Sequence, residues 1–159
     1  MADKLNIDVQ DSKVVAALGL ALIALEDPTD LLDRIGAVFE RNVQLRFETK
    51  TDPSGAPWAE LADSTKKSYA YKYKGNVPGS LLERSRHMRD SLDYNVTGKS
   101  VEIGFAELYA QYHETGSKDD KHPPRRGLLT DDWQTGELGA QDRDDVLAEI
   151  QDYLGELLP

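Results

Sequence analysis

The sequence predicts an α+β fold, with helices packed on a small, mainly antiparallel sheet. Three observations predict it. Apolar residues recur at helical spacing near 30–49 and again near 141–157. Between these stretches, Tyr94–Phe105 alternates apolar and polar residues around Gly98, which is the pattern of a hairpin. No internal repeat is present, and 159 residues suit a single domain, 1–159. A chain of this size buries roughly 70% of its unfolded surface.

The elements follow in order. Leu5, Ile7 and Val9 alternate with polar neighbours and predict a short strand. Asp11 or Ser12 can cap a helix over about 13–26, which Asp27-Pro28 ends. Thr29 or Asp30 can cap the next helix, about 30–49, whose stripe runs through Leu32, Ile35, Phe39, Val43 and Phe47. Asp52-Pro53-Ser54-Gly55 fits a type I turn. Trp58 and Leu61 then return over the core. Asp63 or Ser64 can cap a helix over about 64–73, and "SLLERSRHMRDSL" predicts another over about 81–92. After the hairpin, a helix over about 106–115 ends at Gly116, a left-handed C-cap. "RGLLT" is a strand or an anchor. The final helix, about 141–157, turns Val146, Leu147, Ile150, Tyr153, Leu154 and Leu157 inward. Exposed loops are expected near 50–63, 74–80 and 117–126.

Composition excludes several chemistries. There is no cysteine, hence no disulfide, thiolate metal site or cysteine nucleophile. The N-terminus lacks a basic region followed by an apolar one, so no signal peptide is expected. The longest apolar run, Val14 to Leu25, is shorter than the roughly 20 residues that span a bilayer, so no membrane partner is expected. Net charge is −10, and residues 130–159 hold nine acids and one arginine. That balance opposes broad affinity for nucleic acid.

Candidate chemistry concentrates in "YAQYHETGSKDDKHPPRRGLL", Tyr109–Leu129. "HETGS" begins like the zinc motif HExxH, but Ser117 stands where the second histidine belongs and Gly116 ends the helix first. A looser metal set remains open: His113 and His122 with Glu114, Asp119 or Asp120. "TGKS", Thr97–Ser100, lacks the leading glycine of a phosphate loop, because residue 93 is Asp93, and a strand follows it. No serine lies in a GxSxG context. Lys66–Lys74 mixes four lysines with three tyrosines, suiting a surface helix, a nucleic acid or an acidic neighbouring protein. Arg125 and Arg126 suit a carboxylate or a phosphate.

Four segments carry a resemblance. "TDPSGAPWAEL" resembles the D-P-x-G-x-x-W-x-x-L turn of the phage virion morphogenesis family, the tail completion proteins of Mu-like phages and their relatives. "LLERSRHMRDSL" is similar to the family's L-x-x-[ST]-G-x-L-x-x-S-[IL] segment. "VEIGFAELYAQYHETG" is similar to V-x-[IV]-G-x-x-x-x-Y-A-x-x-H-E/Q-x-G, and "PPRRGLL" to P-x-R-P-F-L. The segments come in the family's order and cover about residues 45–130. Two departures stand out. Arg86 replaces a glycine, and Arg126-Gly127 replaces Pro-Phe, with Leu128 and Leu129 available in place of the lost aromatic ring.

The resemblance implies a non-enzymatic structural subunit of a tailed-phage virion. It implies action at the head–tail junction, in tail completion or neck assembly, as a ring. Six copies is the number that analogy with tail symmetry implies. Its neighbours are tail-tube or head-connector proteins, phage DNA passes through without specific binding, and no cofactor is implied. Synthesis is in the host bacterial cytoplasm. Interaction candidates are Trp58, Lys72, Lys74, His113, Glu114, Lys118, Asp119, Asp120, Arg125 and Arg126. The acidic C-terminal segment either faces solvent or lines the channel, where Asp142, Asp144 and Asp145 repel passing DNA. The rival readings are a small metal-dependent hydrolase using His113, Glu114 and His122, and a nucleic-acid module using Lys66–Lys74.

Overall fold

The computed structural model describes residues 11–16, 19, 27–72, 81–83, 85–116 and 123–157. The expected strand at Leu5–Val9 and the expected loop at 74–80 lie outside them, as do Lys74, Lys118, Asp119, Asp120 and His122. The architecture is α+β, as predicted. Its centre is α1 (Thr29–Thr49), followed by α2 (Asp63–Lys72), α3 (His87–Asp90), β1 (Leu92–Thr97), β2 (Ser100–Phe105), α4 (Ala110–Thr115) and α5 (Ala140–Leu157). Residues 12–16 and 19 are helical, within the first predicted helix. No helix among the described residues is long and apolar enough to cross a membrane.

α1 serves two cores. Its first half joins Val14, Leu138, Val146, Ile150 and Tyr153 through Leu31, Ile35, Val38 and Phe39. Its second half joins Trp58, Met88, Phe105, Leu128 and Leu129 through Val43 and Phe47. Phe47 meets Trp58 edge-on with ring centres 5.9 Å apart, and Phe105 at 6.2 Å. The hairpin lies across the same helix. Its register pairs Leu92 with Phe105 and Thr97 with Ser100. Gly98 supplies the positive φ, 59°, that begins a two-residue II′ connection, so "TGKS" is the hairpin's turn. The Tyr94 ring sits so close to Gly36 that a Cβ there would come within 2.2 Å of it.

Local capping is set by aspartates. Asp11 accepts from the amides of Lys13 (3.1 Å) and Val14 (3.3 Å), as one of the two predicted caps. At α1 the N-cap position is Pro28 rather than Thr29 or Asp30, without a side-chain cap bond, and Asp27 before it takes the Thr29 amide at 3.0 Å and its hydroxyl at 2.6 Å. The Asp52–Gly55 turn forms as predicted, with the Gly55 amide 2.9 Å from the Asp52 carbonyl. The strap from 50 to 63 is exposed over most of its length and tied down at the buried Pro53 and Trp58.

Three predicted boundaries are corrected. The helix expected over 81–92 shrinks to His87–Asp90. Leu82 and Arg86 hold left-handed φ values of 64° and 60°, which no α-helix continues through. Glu83 between them is gripped by Lys50 (2.6 Å) and Arg89 (2.7 Å), so the segment is latched to the end of α1. The helix expected over 106–115 begins at Ala110, because the preceding amides bond three residues back instead of four, Ala110 to Glu107 at 3.0 Å. Gly116 has positive φ, 68°, but ψ of −177°, so the chain leaves α4 in an extended direction rather than through a left-handed cap.

Arg86 occupies the position where the resembled pattern carries glycine, and its backbone shows why glycine fits there. Replacing Arg86 by glycine removes the left-handed penalty from an exposed side chain. Thermal or urea unfolding of Arg86→Gly is expected to show a gain of about 0.5–1 kcal/mol.

Candidate functional site

The segment Pro123–Thr130 is neither helix nor strand, yet Arg126 to Thr130 are all buried. Buried backbone groups need partners. Here side chains supply them. Glu114, whose side chain is 1% exposed, points its carboxylate at the segment. One oxygen accepts from the amides of Leu128 (2.6 Å) and Leu129 (3.1 Å). The other accepts from the Thr130 amide (2.9 Å) and hydroxyl (2.7 Å). Four donors on one carboxyl group take the place of water around it.

Three of the carbonyls are satisfied by side chains from other directions. Trp58 Nε1 donates to Gly127 at 3.1 Å, and Arg46 Nη1 donates to Leu128 at 2.7 Å. Arg125 Nη2 donates to Thr130 at 2.6 Å, while its Nε donates to the Glu114 carbonyl at 2.8 Å. Arg126 points the other way, onto the carbonyls of Ala59 (2.8 Å) and Glu60 (3.0 Å). Its amide meets the His113 carbonyl at 2.7 Å. Together these bonds close a clasp joining α4, the Trp58 strap and α1.

Arg46 connects the clasp to α5. Its second nitrogen pairs with Asp142, and Asn42 donates to the same carboxylate at 3.1 Å. Asp142 is fully buried. Burial pushes its carboxyl above the usual range, and Arg46 pulls it back. Asp142 therefore faces the interior of its own fold, where the expectation was solvent or a channel. Asp144 is exposed and Asp145 half-buried, the latter accepting from Asn42 at 2.8 Å.

The structure thus brings together Trp58, Glu114, Arg125 and Arg126 from the expected set, with His113 beside them. Their outward role is corrected: Trp58, Glu114 and Arg126 are buried, and their polar atoms are engaged by their own chain. Lys72 is exposed at the end of α2, outside the clasp. The Nδ1 of His113 is buried with no hydrogen-bond partner among the described residues. Among the described residues, no group of three or more histidines or acids is placed to hold a metal.

Sequence reading missed Arg46, Asn42 and Thr130. The signal for the first two was present: both stand within the apolar stripe of α1, where a polar residue must have an internal partner. It also missed Trp133, which is 38% exposed and belongs to neither core.

His113 makes stability depend on pH. Burial, and secondly the nearby Arg126 charge, lower its pKa from 6.5 to about 4. Between those values the unfolded chain binds a proton that the folded chain refuses. Stability conferred by the neutral ring is therefore lost as pH falls from about 6.5 toward 4, by up to about 3 kcal/mol. Urea titrations across that window are expected to show a shallower loss in His113→Gln than in the wild type; parallel curves contradict the assignment.

No curated protein and no solved structure matches this chain. The sequence model of the phage virion morphogenesis family matches residues 9–156. That span takes in α1, the hairpin, the clasp and nearly all of α5, and the chain belongs to the phage virion morphogenesis family.

Proposed function

We propose that this chain is a structural subunit of a tailed-phage virion at the head–tail junction, acting in tail completion or neck assembly as a closed ring. The family match over residues 9–156 carries the reading. Family membership gives a role in phage virion assembly. The junction, the ring and its neighbours are our extension of it. The clasp supports the same direction. Glu114, the acid that a hydrolase reading requires, accepts four bonds from its own chain and presents no free oxygen for a water or a metal. In this reading the histidine–glutamate pair is architecture.

In this reading, six copies close by heterologous contacts, each using one surface to meet a different surface of the next. Tail-tube and head-connector proteins are the neighbours above and below, and phage DNA passes through without base recognition. Antibody or gold labelling of this chain in assembled virions, imaged by electron microscopy, tests the location. Label is expected at the head–tail junction; label elsewhere on the particle refutes it.

A further inference from the structure

We infer that the turn carrying Trp133 docks on helix α2 of a neighbouring copy of this chain. The inference rests on the ring reading and names the contact that would close it.

The turn is built to present its tip. The Asp131 amide meets the Glu137 carbonyl at 2.8 Å, and the Glu137 amide meets Asp132 at 3.1 Å. The Asp132 carboxylate accepts from Gln134 at 2.8 Å, and Gly136 takes a φ of 69° to close the loop. This leaves an indole on an ordered turn, outside the cores, with the exposed Asp131, Asp132 and Glu137 around it. Aromatic side chains held in this way are the usual anchors of protein interfaces, because little entropy is lost when they are covered.

α2 has the opposite character. Lys66, Lys67 and Lys72 are exposed, and no described side chain of this helix enters either core. Lys66 pairs with Glu60. Neither Lys67 nor Asp131 makes a side-chain bond among the described residues. Lysine stems cover an indole face while their ammonium groups meet its π cloud and the surrounding carboxylates. Charge also decides the symmetry. Turn against turn would bring carboxylates together, and helix against helix would bring lysines together. Turn against helix is the pairing that attracts. Unlike surfaces on identical copies give the head-to-tail contact that a ring requires.

The test uses the full chain with single charge reversals at residues whose side chains make no bond among the described residues. Sedimentation of the wild type across concentration and salt is expected to show assembly that weakens as salt rises. Lys67→Glu and Asp131→Lys are each expected to weaken it roughly tenfold or more, with unchanged melting temperature. The two variants mixed, or both changes in one chain, restore assembly. Reversals that assemble like the wild type overturn the surface and leave the ring reading standing. A wild type that stays monomeric at every concentration overturns both. DNA binding lost in Lys67→Glu and kept in Asp131→Lys, with assembly unaffected, assigns α2 to nucleic acid and overturns the inference.

Discussion

One carboxylate holds Leu128–Thr130 in place. The amides of Leu128, Leu129 and Thr130 converge on Glu114 inside the protein. Were that side chain absent, three buried donors would lack partners, each at a cost of about 1–3 kcal/mol. Leu128 and Leu129 could then not remain in the second core, and Phe47 and Trp58 would lose the floor they pack against. An apolar anchor is thus made possible by a polar one. The family pattern's proline and phenylalanine are missing at 126–127, and the clasp shows what stands in their place: Arg126 tied to the Trp58 strap and two leucines beneath it.

The same network couples the two cores. Arg46 donates to Leu128 with one nitrogen and pairs with the buried Asp142 of α5 with the other. Removing one member of such a pair leaves an uncompensated buried charge, so these positions are constrained together. α1 is therefore more than an apolar rod. Its stripe carries aromatic packing on both halves and a polar bridge at Asn42 and Arg46.

Much of this was legible in the sequence, for identifiable reasons. α1, α5 and the hairpin have long periodic patterns, and the Asp52 turn has position-specific residues. The short α3 was not legible: Leu82 and Arg86 adopt φ values that their side chains disfavour, sustained by the Glu83 latch, which joins residues far apart in sequence. The clasp was half legible. The glutamate and arginines were singled out, but as residues that meet neighbours, since a charged residue is rarely buried unless paired. Their partners are backbone groups, and backbone groups leave no mark on a sequence. Trp133 was passed over because an isolated tryptophan carries no periodicity.

The HE-x-G and RRGLL motifs form an internal clasp. Amide hydrogen exchange of Leu128, Leu129 and Thr130, followed by NMR, tests it most directly. These residues lie in no helix or strand, yet they are predicted to exchange as slowly as the amides in the middle of α1. In Glu114→Gln they are predicted to exchange much faster than the α1 amides. Fast, loop-like exchange of all three in the wild type would contradict the account.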